Sequence, residues 1–269
     1  MANISEKSVE AKRPKPIIEI DVWTERFLGT MQKAESFLPL IEQIDHERWR
    51  PEKWNNFEPV KNIYNENAKA TILNEWTEQR RGFISNSMMF KRSKPKLLMW
   101  VNSWRGRVPG LNNIHLDLDA NAFAAADGPL RLKSIVQELV TWSEAAYATA
   151  RHSEQMHDRY AQYTPEKRLE RLDWLSFFGP KYVSLFGLER VVTAPFYSSE
   201  VFADGLILLA TETPNDPLLT QSTDLLEKLE LSLGVDVFAS DFYLQIPCRV
   251  PTFDLSETTN AAITEASDA

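Results

Sequence analysis

Strict alternation of apolar and polar residues marks two stretches of the chain. Residues 17–23 alternate isoleucine and valine with acidic residues and a tryptophan, and residues 114–118 alternate isoleucine and leucine with histidine and aspartate. This period of two predicts strands with one buried face. The apolar runs at 83–90 and 97–104 also predict strands, joined by a basic loop.

Apolar residues spaced three and four apart predict four helices, at 25–44, 65–81, 129–150 and 220–233. Thr24 is the expected N-cap of the first helix. Because strand pairs joined by short turns alternate with these helices, the pattern predicts an α+β fold. We expect an antiparallel sheet with helices packed on one face, and the element order also allows two similar β-α-β-β-α halves.

Residues 172–213 have the most distinctive local pattern. Leu172 to Phe178 is a short apolar and aromatic run that predicts a buried strand. Gly179-Pro180 ends it and begins a short helix, and Gly187 ends that helix. Two further strands and the turn between them are expected at 190–194, 206–211 and 203–205.

The chain divides into a folded body and two tails. Residues 1–16 are polar, charged and proline-containing, and residues 254–269 are acidic and rich in Thr, Ala and Ser, so both are expected to be disordered. The body is expected to be one domain, 17–253, with a division into subdomains 17–165 and 166–253 also allowed.

Composition narrows the compartment and the class. Cys248 is the single cysteine, so no internal disulfide can form. The charged N-terminus does not have the features of a secretory signal, and the longest apolar run is far shorter than a membrane span. We therefore expect a cytoplasmic protein that is not inserted in a membrane.

The net charge of −8 is unevenly distributed along the chain. Residues 197–269 hold thirteen acidic and two basic side chains, a net charge of −11, while the first 196 residues carry +3. An acidic third is a poor nucleic-acid surface, because phosphate contacts need Lys and Arg. It suits a basic protein partner, although acidic residues also simply keep proteins in solution.

Candidate catalytic or metal-binding groups are scarce. His152 and His157 are five residues apart, a spacing that does not converge on one helix face. His115, with Asp117 and Asp119, lies on the polar side of its strand, where solvated polar residues are the ordinary interpretation. No nucleophile elbow, phosphate loop or dinucleotide motif is present. The sequence predicts a non-enzyme that has no metal or cofactor.

Trp100 and Trp104 lie four residues apart on one strand and therefore share a face. Sheet packing explains such a pair, but tryptophan is also enriched at interface hot spots. Trp104 is therefore a candidate partner contact. The basic loop at 91–96 is interpreted as a solvated loop rather than as a nucleic-acid site.

The distinctive residues of the C-terminal half are Trp174, Phe178-Gly179-Pro180, Val183, Gly187, Arg190, Ala194-Pro195, Gly205, Leu208 and Thr211. With the Trp-Val-Asn-Ser-Trp-Arg-Gly stretch at 100–106, this pattern resembles the immunity protein 52 family of bacterial polymorphic toxin systems. The resemblance covers about residues 17–246. It implies an immunity protein that neutralises a cognate toxin of a type VI or contact-dependent system, often a toxin with a restriction-endonuclease fold.

The candidate contacts for such a basic, nuclease-like partner are acidic side chains. They lie at turns beside the expected hairpin or on the polar face of the last helix: Asp204, Glu212, Asp216, Asp224, Glu227 and Glu230. Two alternatives remain at this level. One is an adaptor or chaperone for a secreted effector, and the other is a hydrolase whose carboxylates are hidden among the many acids.

Overall fold

The computed structural model of the protein describes residues 15–78, 85–106, 109–155, 164–238 and 247–259. The tail at 1–14, the end of the chain at 260–269 and residues 239–246, where the sequence also allows a final strand over 235–246, lie outside these residues. The strands are β1 (Ile17–Thr24), β2 (Lys53–Asn55), β3 (Asn62–Ile63), β4 (Ser85–Arg92), β5 (Leu97–Trp104), β6 (Asn112–Asp119), β7 (Tyr147–His152), β8 (Leu175–Phe178), β9 (Ser198–Phe202) and β10 (Gly205–Leu209). The helices are α1 (Met31–Gln43), α2 (Glu66–Thr77), α3 (Gly128–Ser143), α4 (Pro180–Phe186), α5 (Leu188–Thr193), α6 (Pro217–Thr220) and α7 (Asp224–Leu233).

All ten described strands belong to one sheet, in the order β3-β2-β4-β5-β6-β1-β7-β8-β10-β9. Every neighbouring pair is antiparallel. The predicted α+β fold with an antiparallel sheet is confirmed. The first strand of the chain lies inside the sheet, between β6 and β7, and so joins the N-terminal and C-terminal strands.

The sheet has two unlike faces, which we name after two neighbouring residues of β1. The Ile20 face carries Ile18, Ile20 and Val22, which are almost completely buried. The Asp21 face carries Glu19, Asp21 and Trp23, which are half-buried. This is the alternation that the sequence predicts.

Helices α1, α2 and α3 cover the Ile20 face. Phe37 of α1 packs its ring against Phe90 of β4, with the ring centroids 6.0 Å apart. It also contacts Trp76 of α2 at 5.3 Å and Trp142 of α3 at 4.7 Å. Burial of such large aromatic side chains contributes about 1.5–3 kcal/mol each, so this cluster holds the three helices on the sheet.

Helix α4 lies on the opposite face. Tyr182 of α4 contacts Tyr147 of β7 and Phe178 of β8, with ring centroids 5.6 and 5.7 Å apart. In the strand register Tyr147 pairs with Phe178 and continues the row of Trp23, so it belongs to the Asp21 face. The helices therefore lie on one face only in the N-terminal half, and α4 extends the packing to both faces.

The segment 144–150, expected as helix, forms the turn into β7 and the first four residues of that strand. Glu144 ends α3 in a left-handed conformation (φ 54°), and the Ala145 N–H closes the end on the Val140 carbonyl at 3.1 Å. All six residues of β7 are buried. A strand covered on both faces has no polar alternation, and its small residues Ala148 and Ala150 resemble helix formers in sequence.

The segment 190–194, expected as strand, is helix α5. Val191 is completely buried while Val192 is 48% exposed, so its β-branched residues form one turn of an amphipathic helix. The strand of the hairpin is instead Ser198–Phe202, which is polar and exposed because it lies at the end of the sheet. Edge strands bury less surface and give a weaker hydrophobic pattern.

The C-terminal segment beyond residue 253 is in part a packed element. Ser256–Thr258 forms a 3₁₀ turn, and Thr258 is completely buried. The Glu257 carboxylate accepts hydrogen bonds from the Arg26 guanidinium at 2.8 Å and from the Phe27 N–H at 3.0 Å. Residues 254–259, expected as the start of a disordered tail, therefore include a segment packed on the folded body, and 260–269 lie outside the described residues.

Glu230 differs most from its predicted position. It was expected on the polar face of α7, but it is completely buried. Its carboxylate accepts from the Arg171 Nε at 3.2 Å and from the Leu172 N–H at 3.1 Å. A buried charge needs such partners, so Glu230 ties α7 to the segment before β8 and presents no surface to a partner.

We expect Glu230→Gln to lower the free energy of unfolding by about 3 kcal/mol, because it removes the buried carboxylate that lies nearest to the buried Arg171 guanidinium. Chemical denaturation measures this loss. The control is Asp224→Asn, on the exposed side of the same helix and without an ion pair to Arg171, which should cost less than about 1 kcal/mol. Equal losses in the two variants would contradict the buried ion pair.

Candidate functional site

The structure separates the acidic residues that the sequence groups together. Asp204 lies at the tip of the β9–β10 hairpin and is exposed. Glu212 and Asp216 follow the other end of β10. Because β10 has five residues, roughly 17 Å of strand separates Asp204 from the other two. The three acids therefore do not form one patch.

Two of the candidate acids, Asp216 and Glu227, have local structural roles. Asp216 is half-buried, and its Oδ1 accepts the Leu218 N–H at 2.8 Å at the start of α6. Glu227 is exposed, accepts the Thr223 hydroxyl at 2.8 Å and lies 3.5 Å from the Arg171 guanidinium. Asp224, in the first turn of α7, is exposed.

Glu212 lies on the rim of a cleft of about 850 Å³ between the start of α3, the start of β9 and the turn after β10. Two apolar side chains in this cleft are strongly exposed, Leu130 at 70% and Tyr197 at 57%. Ala124–Ala126 line another wall. Exposed large apolar side chains in a concave surface are typical of sites that take a partner.

The charge of this cleft is acidic. Lys133 lies in it but forms an ion pair with Glu200 of β9, which leaves the exposed Glu154 and Glu212 carboxylates on the rim. Burial lowers the pKa of His152, which outweighs the opposite effect of Glu154. His152 is therefore neutral at neutral pH and does not offset the acids.

Sequence reasoning found Glu212 but missed the two apolar residues of the cleft. Leu130 follows Pro129 in the first turn of α3, where the apolar stripe of that helix begins. Its position resembles a core position, and Tyr197 resembles the start of a buried strand. Both residues line a cleft formed by segments that are far apart in the chain. A local sequence pattern cannot predict their exposure.

A second cluster lies on the Asp21 face. The His115 ring of β6 bonds to Asp21 of β1 through Nδ1 at 2.6 Å and to Asp117 of β6 through Nε2 at 3.1 Å. Trp100 of β5 packs on the same imidazole, with the ring centroids 4.9 Å apart. The sequence had placed His115 beside Asp117, but the contact with Asp21 needs the β1–β6 register.

Both ring nitrogens of His115 are engaged by carboxylates within this cluster. Burial lowers the pKa of His115, but the hydrogen bonds to Asp117 and Asp21 and their charges outweigh it and raise the pKa to about 10. Both ring nitrogens donate to carboxylates, so neither can accept a proton from a substrate as a general base would. In the part of the chain that the structure describes, no group of three or more His, Cys, Asp or Glu side chains is arranged to hold a metal ion.

Trp104 lies on the Asp21 face at the end of β5, as the spacing from Trp100 predicts. The Asn112 side chain brackets its main chain, accepting from the Trp104 N–H at 3.1 Å and donating to the Trp104 carbonyl at 2.9 Å. Trp104 is half-buried and lies on the opposite face from the cleft, so the two are separate surfaces.

The raised pKa of His115 predicts a pH-dependent stability. The folded state keeps the proton up to about pH 10, whereas the unfolded chain releases it near pH 6.5. The stabilisation is therefore complete below about pH 6.5 and is lost as the pH rises towards 10. We expect His115→Gln to cost about 2 kcal/mol near pH 6, less than a fully buried pair.

Urea unfolding of the wild type and of His115→Gln across this pH range measures the difference. The difference between the two proteins should shrink steadily from about pH 6 to about pH 10. A gap that stays constant with pH would show that His115 acts through packing on Trp100 rather than through charge.

Among solved structures, the chain is similar to one described as Pseudomonas aeruginosa T6SS protein PA0821. The TM-score is 0.55 and the identity 13%, over 81% of this chain and 75% of that chain. At this identity the likeness shows a common fold. No family model and no curated protein matches the sequence, so membership of the immunity protein 52 family stays a prediction. Among the described residues, none of the helices has the length and apolar content needed to cross a membrane.

Proposed function

We propose that this protein is an immunity protein of a type VI secretion system, which binds a cognate toxin in the cytoplasm of the producing cell and blocks it by occlusion. The fold shared with a T6SS protein over 81% of the chain is the observation that carries this proposal. The pattern of residues 172–213, which resembles the immunity protein 52 family, supports the same function.

The cleft beside Glu212 is the surface we assign to the toxin. Its exposed Leu130 and Tyr197 can act as apolar anchors, surrounded by polar groups, which is the usual anatomy of a protein interface. Its rim carries the Glu154 and Glu212 carboxylates. A toxin with a basic cleft, such as a nuclease, would present Lys and Arg side chains to these acids.

A protein that inhibits a toxin by binding it requires a surface complementary to the toxin and does not require a catalytic group. The His115 cluster comes nearest to catalytic chemistry, and both of its ring nitrogens are engaged by carboxylates. We therefore propose that the protein acts by binding rather than as a hydrolase.

Co-expression tests the function directly. The adjacent upstream gene is expected to encode a secreted protein with a C-terminal toxin domain. That domain is expressed in a sensitive host, with and without this protein. We expect growth arrest without it and normal growth with it. Growth arrest in both cases, with both proteins present at similar levels, would exclude immunity against that toxin.

Charge reversal on the cleft tests the binding surface. We expect Glu212→Lys to weaken binding of the inactivated toxin domain by about tenfold or more, since like charges across an interface are repulsive. Asp224→Lys on α7 carries the same change of charge away from the cleft and is the matched control, with affinity within about twofold of wild type. Isothermal titration calorimetry measures both, and the reverse order would move the site to α7.

An adaptor or chaperone for a secreted effector is the second candidate, favoured by the exposure of Leu130 and Tyr197. An apolar cleft suits capture of an unfolded or partly folded effector segment. The co-expression experiment separates the two functions. An adaptor binds the effector and supports its secretion but leaves the toxin domain active, whereas an immunity protein restores growth.

A further inference from the structure

The sheet ends at β9, next to the cleft. No described residue pairs with the outer side of this strand. The three central residues of the strand are exposed, and Val201 is 74% exposed. Tyr197 and Ser198, at the start of the strand, line the cleft, so a chain added beside β9 would continue into it.

The hairpin geometry shows which main-chain groups are free. Residues 203 and 204 have φ of 48° and 59° and form a two-residue turn of type I′. In such a hairpin the flanking pair, Phe202 and Gly205, exchanges both hydrogen bonds, and bonded and non-bonded pairs alternate from there. Ser199 and Val201 fall in the non-bonded pairs. Their N–H and C=O groups therefore point away from β10.

β9 lacks the lysine, the proline and the bulge that protect many free edges. Natural edge strands carry lysine, proline or a bulge that stops another strand from pairing. Residues 198–202 are Ser-Ser-Glu-Val-Phe, with no lysine or proline, and they pair with β10 residue for residue. Glu200, the one charged side chain, is held by Lys133 and Gln137 of α3 on the Ile20 face.

We propose that an extended, basic segment of the toxin pairs with the outer edge of β9 as an added strand of the sheet and leads into the cleft. This inference rests on the proposed function and adds the mode of binding. Main-chain hydrogen bonds from Ser199 and Val201 hold the segment, as in other cases of strand addition. Asp204 at one end of β9 and the rim acid Glu212 beyond the other end favour Lys or Arg flanking that segment.

A second copy of this chain fits the edge poorly. The antiparallel register that uses the outward groups of both Ser199 and Val201 on each copy places Glu200 directly opposite the Glu200 of the partner copy. Like charges in directly opposite positions destabilise strand pairs. The net charge of −8 also opposes self-association.

Proline at position 199 tests the proposal. Ser199→Pro removes an outward N–H without removing a bond to β10, and proline is tolerated at such edge positions. We expect the affinity for the inactivated toxin domain to fall about 10- to 100-fold, because a carbonyl of the added strand is left unsatisfied. Ser199→Ala keeps the N–H and is the matched control, with unchanged affinity.

Val201→Lys is the second variant, in case Ser199→Pro unfolds. The substitution is at a highly exposed position of β9, so the strand should still form. It should weaken binding because it places a positive charge next to the basic segment of the toxin. Hydrogen exchange adds a direct measurement, because the Ser199 and Val201 amides should become protected in the complex while they exchange freely in the protein alone.

The outcomes separate the two proposals. If the wild type neither binds nor neutralises the toxin, the proposed function fails and the strand addition with it. If the wild type binds but Ser199→Pro and Val201→Lys bind equally well and both amides still exchange, only the strand addition fails. If sedimentation shows a wild-type dimer that Ser199→Pro converts to monomer, a second copy occupies the edge and the assignment of a toxin segment is wrong.

Discussion

Strand β1 hydrogen-bonds to β6 on one side and to β7 on the other, and this double pairing joins the two parts of the sheet. Ile20 at its centre is completely buried, and its neighbours across the sheet are Leu116 and Ala150. The β1–β7 contacts link residues about 130 positions apart in the chain. Such non-local pairing is entropically costly and slow to form. The large apolar surface on the Ile20 face offsets that cost.

The cleft depends on the same junction. Leu130 comes from α3, which packs on β1 and β7, while Tyr197 and Glu212 come from the hairpin at the far end of the sheet. The Lys133–Glu200 ion pair connects these two parts directly. The walls of the cleft come from both sides of residue 165, so the surface is a property of the continuous sheet. The free edge of β9 and the cleft are accordingly neighbours.

The hydrophobic pattern of the sequence correctly predicts strands that have one buried face and one partly exposed face. The alternation in 17–23 and 114–118 matches β1 and β6, because one face is covered by helices and the other is half-open. It fails for 147–152, where both faces are buried and small alanines resemble a helix, and for 198–202, where both are exposed. The roles of single side chains are predictable only in part. The acidic charge of Glu212 can be read from the sequence, but the contact of His115 with Asp21 depends on the register of β1 and β6.

The C-terminal turn around Thr258 affects which positions near the end of the chain should tolerate substitution in related proteins. In composition it resembles an acidic tail, which homologous chains would be free to lengthen, shorten or replace. Yet the Glu257 carboxylate satisfies Arg26 and Phe27, and the Thr258 carbonyl accepts the Gly106 N–H at 3.0 Å. These positions therefore carry the constraint of a core element, and in related chains they should vary as little as the buried residues of the sheet.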